Sequence, residues 1–592
     1  MIRYVIAAVL LVMSGVAQAR VDYAIDLRTP EHHTGVVTIL FPQTAGPYLD
    51  VKMPAWRTGR YNILNLANGV RGFAATDTAG RPLRWQKIDK STWRVHLPQP
   101  GRVRVNYEVY GNELMLRSRH IDDSHAYLDA SAVFMYADAY RKDDVSVALA
   151  VPPGWRSFSG MPSSGPHSFS AANWDVLVDS PIETGVNSSQ RFSEGGRDYE
   201  VVFWGKGNYD PAQISTDLRK LVSEADTIWS GYPFQRYVFM IHAVDGPGGG
   251  ATEHRNSTVI QIPRYAFQPR QRYLGFLSTA SHEFVHTWNV KSYRGAGLVP
   301  YDYDKENYSD LLWVAEGSTS YFEDHLLLRA GLMTPTEYFA TLASAIDHNR
   351  STPGTTVQSV AEASFDEWIS VGGDRARNAS VNIYSEGSLV SWMLDIALIQ
   401  QTGGKVSYRD VHDALYRRFK ADEERGFTSA DMLRILQDLT GRSWDRWWAR
   451  HVDAPVGAVD FSRLLDPVGL QLEEEASTGV WAGWSGEDTA GSVRLTSVEK
   501  GSPAWNAGFT PNDTIVAIDG TRVTGPRFDA ALASRRPGET VTVSYLRRDQ
   551  MAQKRMTLGR ARGDAKVVPV SNPTAAQKAL FQRWLLIPYP AR

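Results

Sequence analysis

Hydrophobic and polar residues alternate through the first third of the chain, whereas apolar positions spaced by three and four dominate its middle. Alternating runs at residues 36–41, 93–97 and 103–110, bounded by Gly and Pro, predict strands with one solvated face. Further strands are predicted at 201–204 and 237–242, with a helix at 214–229 between them. From about residue 274 the spacing predicts successive helices, including 311–330, 334–348, 385–401, 408–419 and 429–439.

A second β-rich segment follows the helices. Residues 493–498, 513–520 and 541–545 predict strands, residues 528–534 a helix, and the amphipathic residues 575–586 a helix that packs back on a neighbour. The fold class is therefore multidomain α+β. We expect a β-sandwich or saddle domain at 20–200, an α+β domain at 201–455, a linker at 456–476, a small β domain at 477–565 and a tail at 566–592.

The first 19 residues differ from the rest. A short positive start containing Arg3 precedes an apolar run at residues 5–12 and the small-residue site Ala17-Gln18-Ala19. This pattern predicts a cleaved secretory signal peptide, because its apolar core is too short to span a bilayer. We expect a periplasmic or secreted protein with no integral membrane segment after signal removal. The chain has no cysteine, so it must hold together without disulfides.

Charge and composition narrow the function only by exclusion. A formal net charge of −2 over 592 residues gives no reason to expect nucleic acid or an anionic membrane as a partner. The hydrophobic and charged fractions are those of an ordinary soluble globular protein. The chemistry must therefore be sought in local motifs.

One such motif lies in the apolar helix predicted from about residue 274. His282 and His286 are four residues apart, so both imidazoles project from one helix face, with Glu283 beside them. Two histidines in this arrangement are zinc ligands, and the carboxylate is placed to act as general base on zinc-bound water. The alternative is a pair of histidines satisfied within the helix.

A catalytic zinc needs a third protein ligand. Glu316 is flanked by apolar and small residues in the predicted helix 311–330, where an unpaired carboxylate would be costly. We therefore predict one Zn²⁺ per chain, bound by His282, His286 and Glu316. Glu323 and Asp324 follow on the same helix, placed to orient a ligand histidine or to face solvent.

At this point the chain resembles a family. The histidine motif with the downstream segment Trp313–Gly317 resembles the gluzincin zinc peptidases, whose third ligand is such a glutamate. Residues 249–254, 286–291 and 53–61 resemble segments of the glycyl aminopeptidase family within that group. Residues 501–520 resemble a PDZ domain, which this family carries after its catalytic domain.

The resemblance implies a thermolysin-like catalytic domain, a PDZ-like domain, and release of N-terminal residues, preferably Gly or Ala, from peptides. It implies that Glu253 holds the substrate ammonium, that Gly250 contacts substrate, and that Tyr384 donates to the oxyanion. His254, next to Glu253, is placed to contact substrate or to stabilise the oxyanion. Glu386 stands where such relatives often have Lys. From the residues alone, Tyr384 also fits a core tyrosine, and Glu253 and His254 fit ordinary edge-strand residues. Lys291 and Arg294 fit either a helix C-terminus or a substrate role.

Two other functions remain open at this stage. One is a zinc endopeptidase to which the PDZ-like domain recruits substrates; the other is a non-catalytic protein that binds peptides. The expected partners are peptides with a free N-terminus, together with a peptide ligand of the PDZ-like domain.

Overall fold

The computed structural model describes residues 20–590 except 247–248, 371, 421–424 and 490. The predicted signal peptide, residues 1–19, lies outside the described residues. The described chain falls into two compact units. The first contains the chain up to Thr58 and Leu64–Asn187, and the second contains Gly59–Ile63 and the chain from Ser188 onwards.

The first unit is built of β-sheets, as the alternating pattern predicts. In the strand Thr34–Thr44, Val37, Ile39 and Phe41 are fully buried while the residues between them are more exposed. Its largest described sheet has the strand order Ser163–Gly165, Ser168–Ala171, Asp144–Ala150, Arg20–Asp26, Thr34–Thr44, Gly101–Tyr110 and Val70–Asp77. Smaller sheets join Arg156–Ser159, Ile182–Gly185, His125–Leu128 and Arg119–Ile121, and Tyr48–Lys52, Thr92–His96 and Trp85–Lys87. Short helices lie at Ala130–Val133 and Trp174–Val178.

The second unit begins with a mixed sheet. Its strand order is Ser188–Glu194, Arg197–Trp204, Arg236–Val244, Ser257–Pro263 and Gly250–Glu253. The central strand Arg236–Val244 is buried along nearly its whole length and runs parallel to both neighbours. The strand Gly250–Glu253 pairs antiparallel at the sheet edge, so its last residue lies beside the helices that follow.

Helices dominate the rest of this unit up to residue 465, which confirms the predicted α+β class. They span Pro211–Val222, Arg270–Val285, Ser318–Arg329, Pro335–Arg350, Val360–Asp366, Asp374–Ala379, Ser385–Thr402, Tyr408–Arg418, Ser429–Thr440, Asp445–His451 and Phe461–Leu465.

Two of the predicted helices differ from the expectation. The helix expected at 214–229 starts earlier, capped by Asp210, and stops at Val222. The prediction ran too long because the apolar spacing continues beyond the helix into a 3₁₀ turn at Ala225–Thr227. The helix expected at 311–330 opens with a π-helical turn, Trp313–Gly317.

The PDZ segment is bracketed by a two-stranded ribbon. Leu470–Glu474 pairs antiparallel with Ala565–Pro569, so part of the expected linker 456–476 is a strand and part is the helix Phe461–Leu465. Between the ribbon strands lie Val480–Trp481, Trp484–Asp488, Val493–Val498, Thr514–Ile518, Thr521–Arg522, Thr540–Arg547, Gln550–Thr557 and Gly559–Arg560, with helices Pro503–Asn506 and Gly525–Ala533. The helix Asp374–Ala379 holds this segment, since Asn378 Nδ2 donates to the Val498 carbonyl at 2.7 Å.

The last helix, Ala575–Leu585, returns to the helical core. Trp584 is fully buried there, and its Nε1 donates to the Tyr321 hydroxyl at 2.7 Å. This confirms that the amphipathic tail packs back on a neighbour. Among the described residues, no helix is both long enough and apolar enough to cross a membrane.

Candidate metal centre and substrate site

The helix Arg270–Val285 carries the two histidines to one point. His282 lies in its last turn and His286 at its C-cap, so their Nε2 atoms approach to 3.0 Å. The four-residue spacing of the two histidines in the sequence predicts this close approach. The ring nitrogens that face each other are both free to bind one cation when each ring carries its proton on Nδ1.

The third candidate ligand, Glu316, lies at the start of the next long helix. Glu316 lies in the π-helical turn, and its Oε2 is 3.2 Å from His286 Nε2 and 3.8 Å from His282 Nε2. Gly317 is required there, because a Cβ would lie 2.4 Å from Gly387 Cα on the helix Ser385–Thr402. The ligand atoms of all three residues lie within 4.8 Å of one another.

This donor set fits zinc. Zinc bonds of about 2.0–2.2 Å at tetrahedral angles place neighbouring ligand atoms roughly 3.3–3.5 Å apart. The observed separations, from 3.0 Å between the imidazoles to 3.8 Å across to Glu316, bracket that value. Two imidazoles and one carboxylate, with a fourth position left for water or substrate, are typical of catalytic rather than structural zinc sites.

The electrostatics also favour a bound cation. Burial alone would raise the pKa of Glu316, but the imidazoles of His286 and His282 hold it far below its usual range. Conversely, burial alone would lower the pKa of His282, yet hydrogen bonds to Glu316 and Glu323 raise it well above its usual value. The cluster thus stabilises positive charge at its centre.

Glu283 lies beside the cluster with a free acceptor. It is 6% exposed, and its Oε2 has no hydrogen-bond partner among the described residues. Burial raises the pKa of Glu283 to about 7. A carboxyl with this pKa can take up and release a proton near neutral pH.

Tyr384 stands at the start of the helix Ser385–Thr402, next to His282. Its ring stacks on that of His282, with centroids 6.0 Å apart and planes inclined by 26°. The side chain is 36% exposed, so one edge remains accessible. Desolvation and then the charge of Glu316 raise the pKa of Tyr384 well above its usual value, so the phenol stays protonated and remains a donor.

The strand Gly250–Glu253 supplies the other predicted substrate residues. Glu253, at its end, is buried, and Lys291 Nζ lies 3.6 Å from its Oε1. His254 is buried next to it, whereas Gly250 lies at the exposed start of the strand. His254 and Gly250 are outside the trio of groups that converge on the metal position. The other basic candidate, Arg294, stacks on Tyr301 with its guanidinium 4.2 Å from the ring centroid.

Comparisons with known proteins agree with this geometry. Residues 22–186 match the Peptidase M61 N-terminal domain, residues 275–390 match the M61 glycyl aminopeptidase family, and residues 468–558 match a PDZ domain. The predicted resemblance to the glycyl aminopeptidases, with a C-terminal PDZ domain, is confirmed. The protein is a metallo-aminopeptidase.

A solved structure resembles it along most of the chain. An aminopeptidase N family protein from Idiomarina loihiensis is 26% identical, covers 95% of this chain and 100% of its own, and has a TM-score of 0.88. An M1 zinc metallopeptidase from Deinococcus radiodurans is 15% identical, with 72% of this chain and 91% of that chain covered and a TM-score of 0.45. A search of curated proteins found no match.

The aminopeptidase site includes a tyrosine to which the sequence assigned no role. The Tyr61 hydroxyl donates to Glu316 Oε1 at 2.7 Å, and the side chain is buried. Tyr61 belongs to Gly59–Ile63, the short stretch that is part of the second unit. Its only sequence signal is its position at the end of the segment 53–61 that resembles the family.

Hydrogen bonds from other residues orient the two histidines of the candidate metal centre. His282 Nδ1 donates to Glu323 Oε2 at 2.5 Å, and His286 Nδ1 donates to the Asn289 carbonyl at 3.0 Å. Both bonds use Nδ1 and so leave Nε2 as the atom that would bind a cation in place of its proton. The orienting role predicted for Glu323 thus matches its position.

Asn289 also supports the segment that carries Glu316, the third candidate ligand. Its side-chain nitrogen Nδ2 donates to the Val314 carbonyl at 2.7 Å and to the Ala315 carbonyl at 3.1 Å. These carbonyls lie in the π-helical turn, whose wider spacing leaves acceptors that a regular helix would satisfy internally. One side chain therefore fixes the turn that presents Glu316 to the histidines.

Proposed function

We propose that the protein is a zinc-dependent aminopeptidase that removes N-terminal residues, preferably Gly or Ala, from peptides and binds one zinc per chain. The observation that carries the proposal is the convergence of His282, His286 and Glu316 beside the unpartnered carboxylate oxygen of Glu283. A base beside three ligand groups is the arrangement that metal-assisted hydrolysis requires.

Each residue then has a defined task. Zinc, when bound, supplies a Lewis acid that polarises the scissile carbonyl and lowers the pKa of water to about 7. Glu283 accepts a proton from the attacking water and delivers it to the amine nitrogen as the C–N bond breaks. Tyr384 donates its phenolic hydrogen to the oxyanion of the tetrahedral intermediate.

Glu253 would make the enzyme an exopeptidase. A buried carboxylate at the end of an edge strand binds an ammonium through charge-assisted hydrogen bonds. Gly59 lies directly against it, because a Cβ there would be 2.3 Å from both carboxylate oxygens. This close wall, together with the match to a glycyl aminopeptidase family, supports a preference for small N-terminal residues.

We also propose a periplasmic or secreted location. The pattern of residues 1–19 and the absence of cysteine support it. Fractionation of cells that express the full chain, followed by N-terminal sequencing, tests it. Cleavage after Ala19 is expected, and a mature protein that retains Met1 in the cytoplasm contradicts it.

Substitution of the base tests the activity. Glu283→Gln keeps the side-chain shape and should lower kcat for Gly- and Ala-anilides by about 10²–10⁴-fold. Glu224→Gln, a half-buried carboxylate on another part of the same unit, is the control. Retained activity in Glu283→Gln rejects the mechanism. Equal cleavage of free and N-acetylated peptides instead identifies an endopeptidase.

A further inference from the structure

A cavity opens next to Tyr384, on the side of the candidate metal centre where Glu323 contacts His282. Its volume is about 330 Å³, and it lies between the helices Ser318–Arg329, Pro335–Arg350 and Ser385–Thr402. Three carboxyl side chains line it: Glu323, Asp324 and Glu386. Among the described residues of its wall there is no lysine or arginine.

Glu386 is the carboxyl of this cavity that lacks a strong partner. It is 4% exposed, and its Oε1 has no hydrogen-bond partner among the described residues. Its Oε2 accepts from Asn349 Nδ2 at 3.5 Å, the outer limit for such a bond. A buried carboxylate without a cation is costly. By contrast, Asp324 accepts from Ser278 at 3.0 Å.

The remaining wall suits a long side chain with a charged end. Leu342, Leu389 and Trp392 provide apolar surface against which a methylene stem can pack. Tyr384 and Glu323 line this cavity and also contact His282, so the cavity borders the candidate metal centre. Glu253 is not part of its lining.

We propose that this cavity is the subsite for the substrate residue that follows the cleaved bond, and that it selects a cationic side chain, Arg or Lys, by pairing with Glu386. The inference rests on the proposed function. With the N-terminal ammonium held at Glu253, the first side chain stays at that end of the site. The second residue is then the one that passes Tyr384 and reaches the cavity.

Matched peptides isolate the charge. Gly-Arg-Ala and Gly-citrulline-Ala differ by one nitrogen-for-oxygen replacement, so size and shape are conserved while the charge is lost. We expect kcat/KM of the unmodified enzyme to favour the arginine peptide about tenfold or more, the effect of one charge-assisted hydrogen bond in a partly desolvated site. In Glu386→Gln the ratio of the two rates should fall to about one. Glu224→Gln should keep the ratio of the unmodified enzyme.

Two outcomes overturn the inference while the proposed function stands. Equal rates for the two peptides exclude a cation-selective subsite, and an arginine preference that survives Glu386→Gln places the selecting group elsewhere. A preference seen only between Arg-Gly-Ala and citrulline-Gly-Ala assigns the cavity to the first residue and also contradicts it.

Failure of the proposed function gives a different result, since neither peptide is then cleaved. In that case, titration calorimetry of both uncleaved peptides against the unmodified protein and Glu386→Gln decides the inference. Tighter binding of the arginine peptide that is lost in the variant supports it, and equal binding overturns it.

Discussion

Tyr61 donates a hydrogen bond of 2.7 Å to Glu316 across a separation of 255 residues in the chain. The bond occupies Oε1 and leaves Oε2, the oxygen nearest to both imidazoles, directed at the metal position. Hydrogen bonds of this kind fix the orientation of a metal-ligating carboxylate. We therefore predict that Tyr61 positions Glu316 toward the metal.

Removal of this hydroxyl should weaken metal binding. In Tyr61→Phe, Glu316 loses its orienting donor, and zinc affinity should fall roughly 10–100-fold, the usual effect of losing such a contact. Competition with a chromophoric chelator measures the affinity independently of activity. Tyr209→Phe removes a hydroxyl that bonds the Gly205 carbonyl and serves as the control. Equal zinc affinity in Tyr61→Phe and the unmodified protein contradicts the assignment.

Much of this centre could be predicted from the sequence because its logic is local. His282 and His286 meet through helical spacing alone, and Glu316 is conspicuous as a carboxylate in an apolar helix. Tyr61 could not be placed, because its contact depends on how Gly59–Ile63 packs into the second unit. No periodicity or spacing reports such a long-range contact.

In the fold as well, local features could be predicted from the sequence and long-range contacts could not. Period-two and period-3.6 patterns predicted the strands of the first unit and the helices of the second. The prediction of a linker at 456–476 missed the strand Leu470–Glu474. There Glu473 and Glu474 are paired across a ribbon with Lys566 and Ala565. Strand pairing between residues almost 100 positions apart leaves no local signal.

Gly59 offers a test of the ammonium site. Its φ is +78°, and an added Cβ would lie 2.3 Å from the Glu253 carboxylate. Gly59→Ala should displace that carboxylate and raise KM for substrates with a free N-terminus about tenfold or more, as loss of a charge-assisted contact would. Steady-state kinetics with Ala-anilide measure the change.

Gly80→Ala is the matched control for this change. Gly80 has a φ of +77° but no atom within 4 Å of the added Cβ, so it carries the same backbone strain without the contact. Its KM should not change. Equal effects of the two substitutions on KM would attribute the result to strain and reject the role of Glu253.

Tyr384→Phe tests the oxyanion donor. If the phenol stabilises charge only in the transition state, kcat should fall about 10²–10³-fold while KM stays nearly constant. The ring that stacks on His282 is retained in this variant, so zinc content should not change. A rise in KM with kcat unchanged would instead assign Tyr384 to ground-state binding.

The C-terminal helix should contribute to the stability of the catalytic core. Trp584 is fully buried and hydrogen-bonded to Tyr321, so Trp584→Ala should lower the free energy of unfolding by about 3–5 kcal/mol. Urea unfolding followed by circular dichroism measures it. Trp505→Ala, at a site that is 44% exposed, should cost much less. Equal losses in the two variants would show that the helix does not pack on the core in solution.

The location of the metal tests the whole account most directly. Anomalous diffraction at the zinc edge, recorded from crystals of the purified full chain, locates the ion without reference to activity. We predict one zinc per chain within about 2.0–2.2 Å of His282 Nε2, His286 Nε2 and a Glu316 carboxylate oxygen. A chain without stoichiometric zinc, or an ion bound away from these three side chains, would contradict the account.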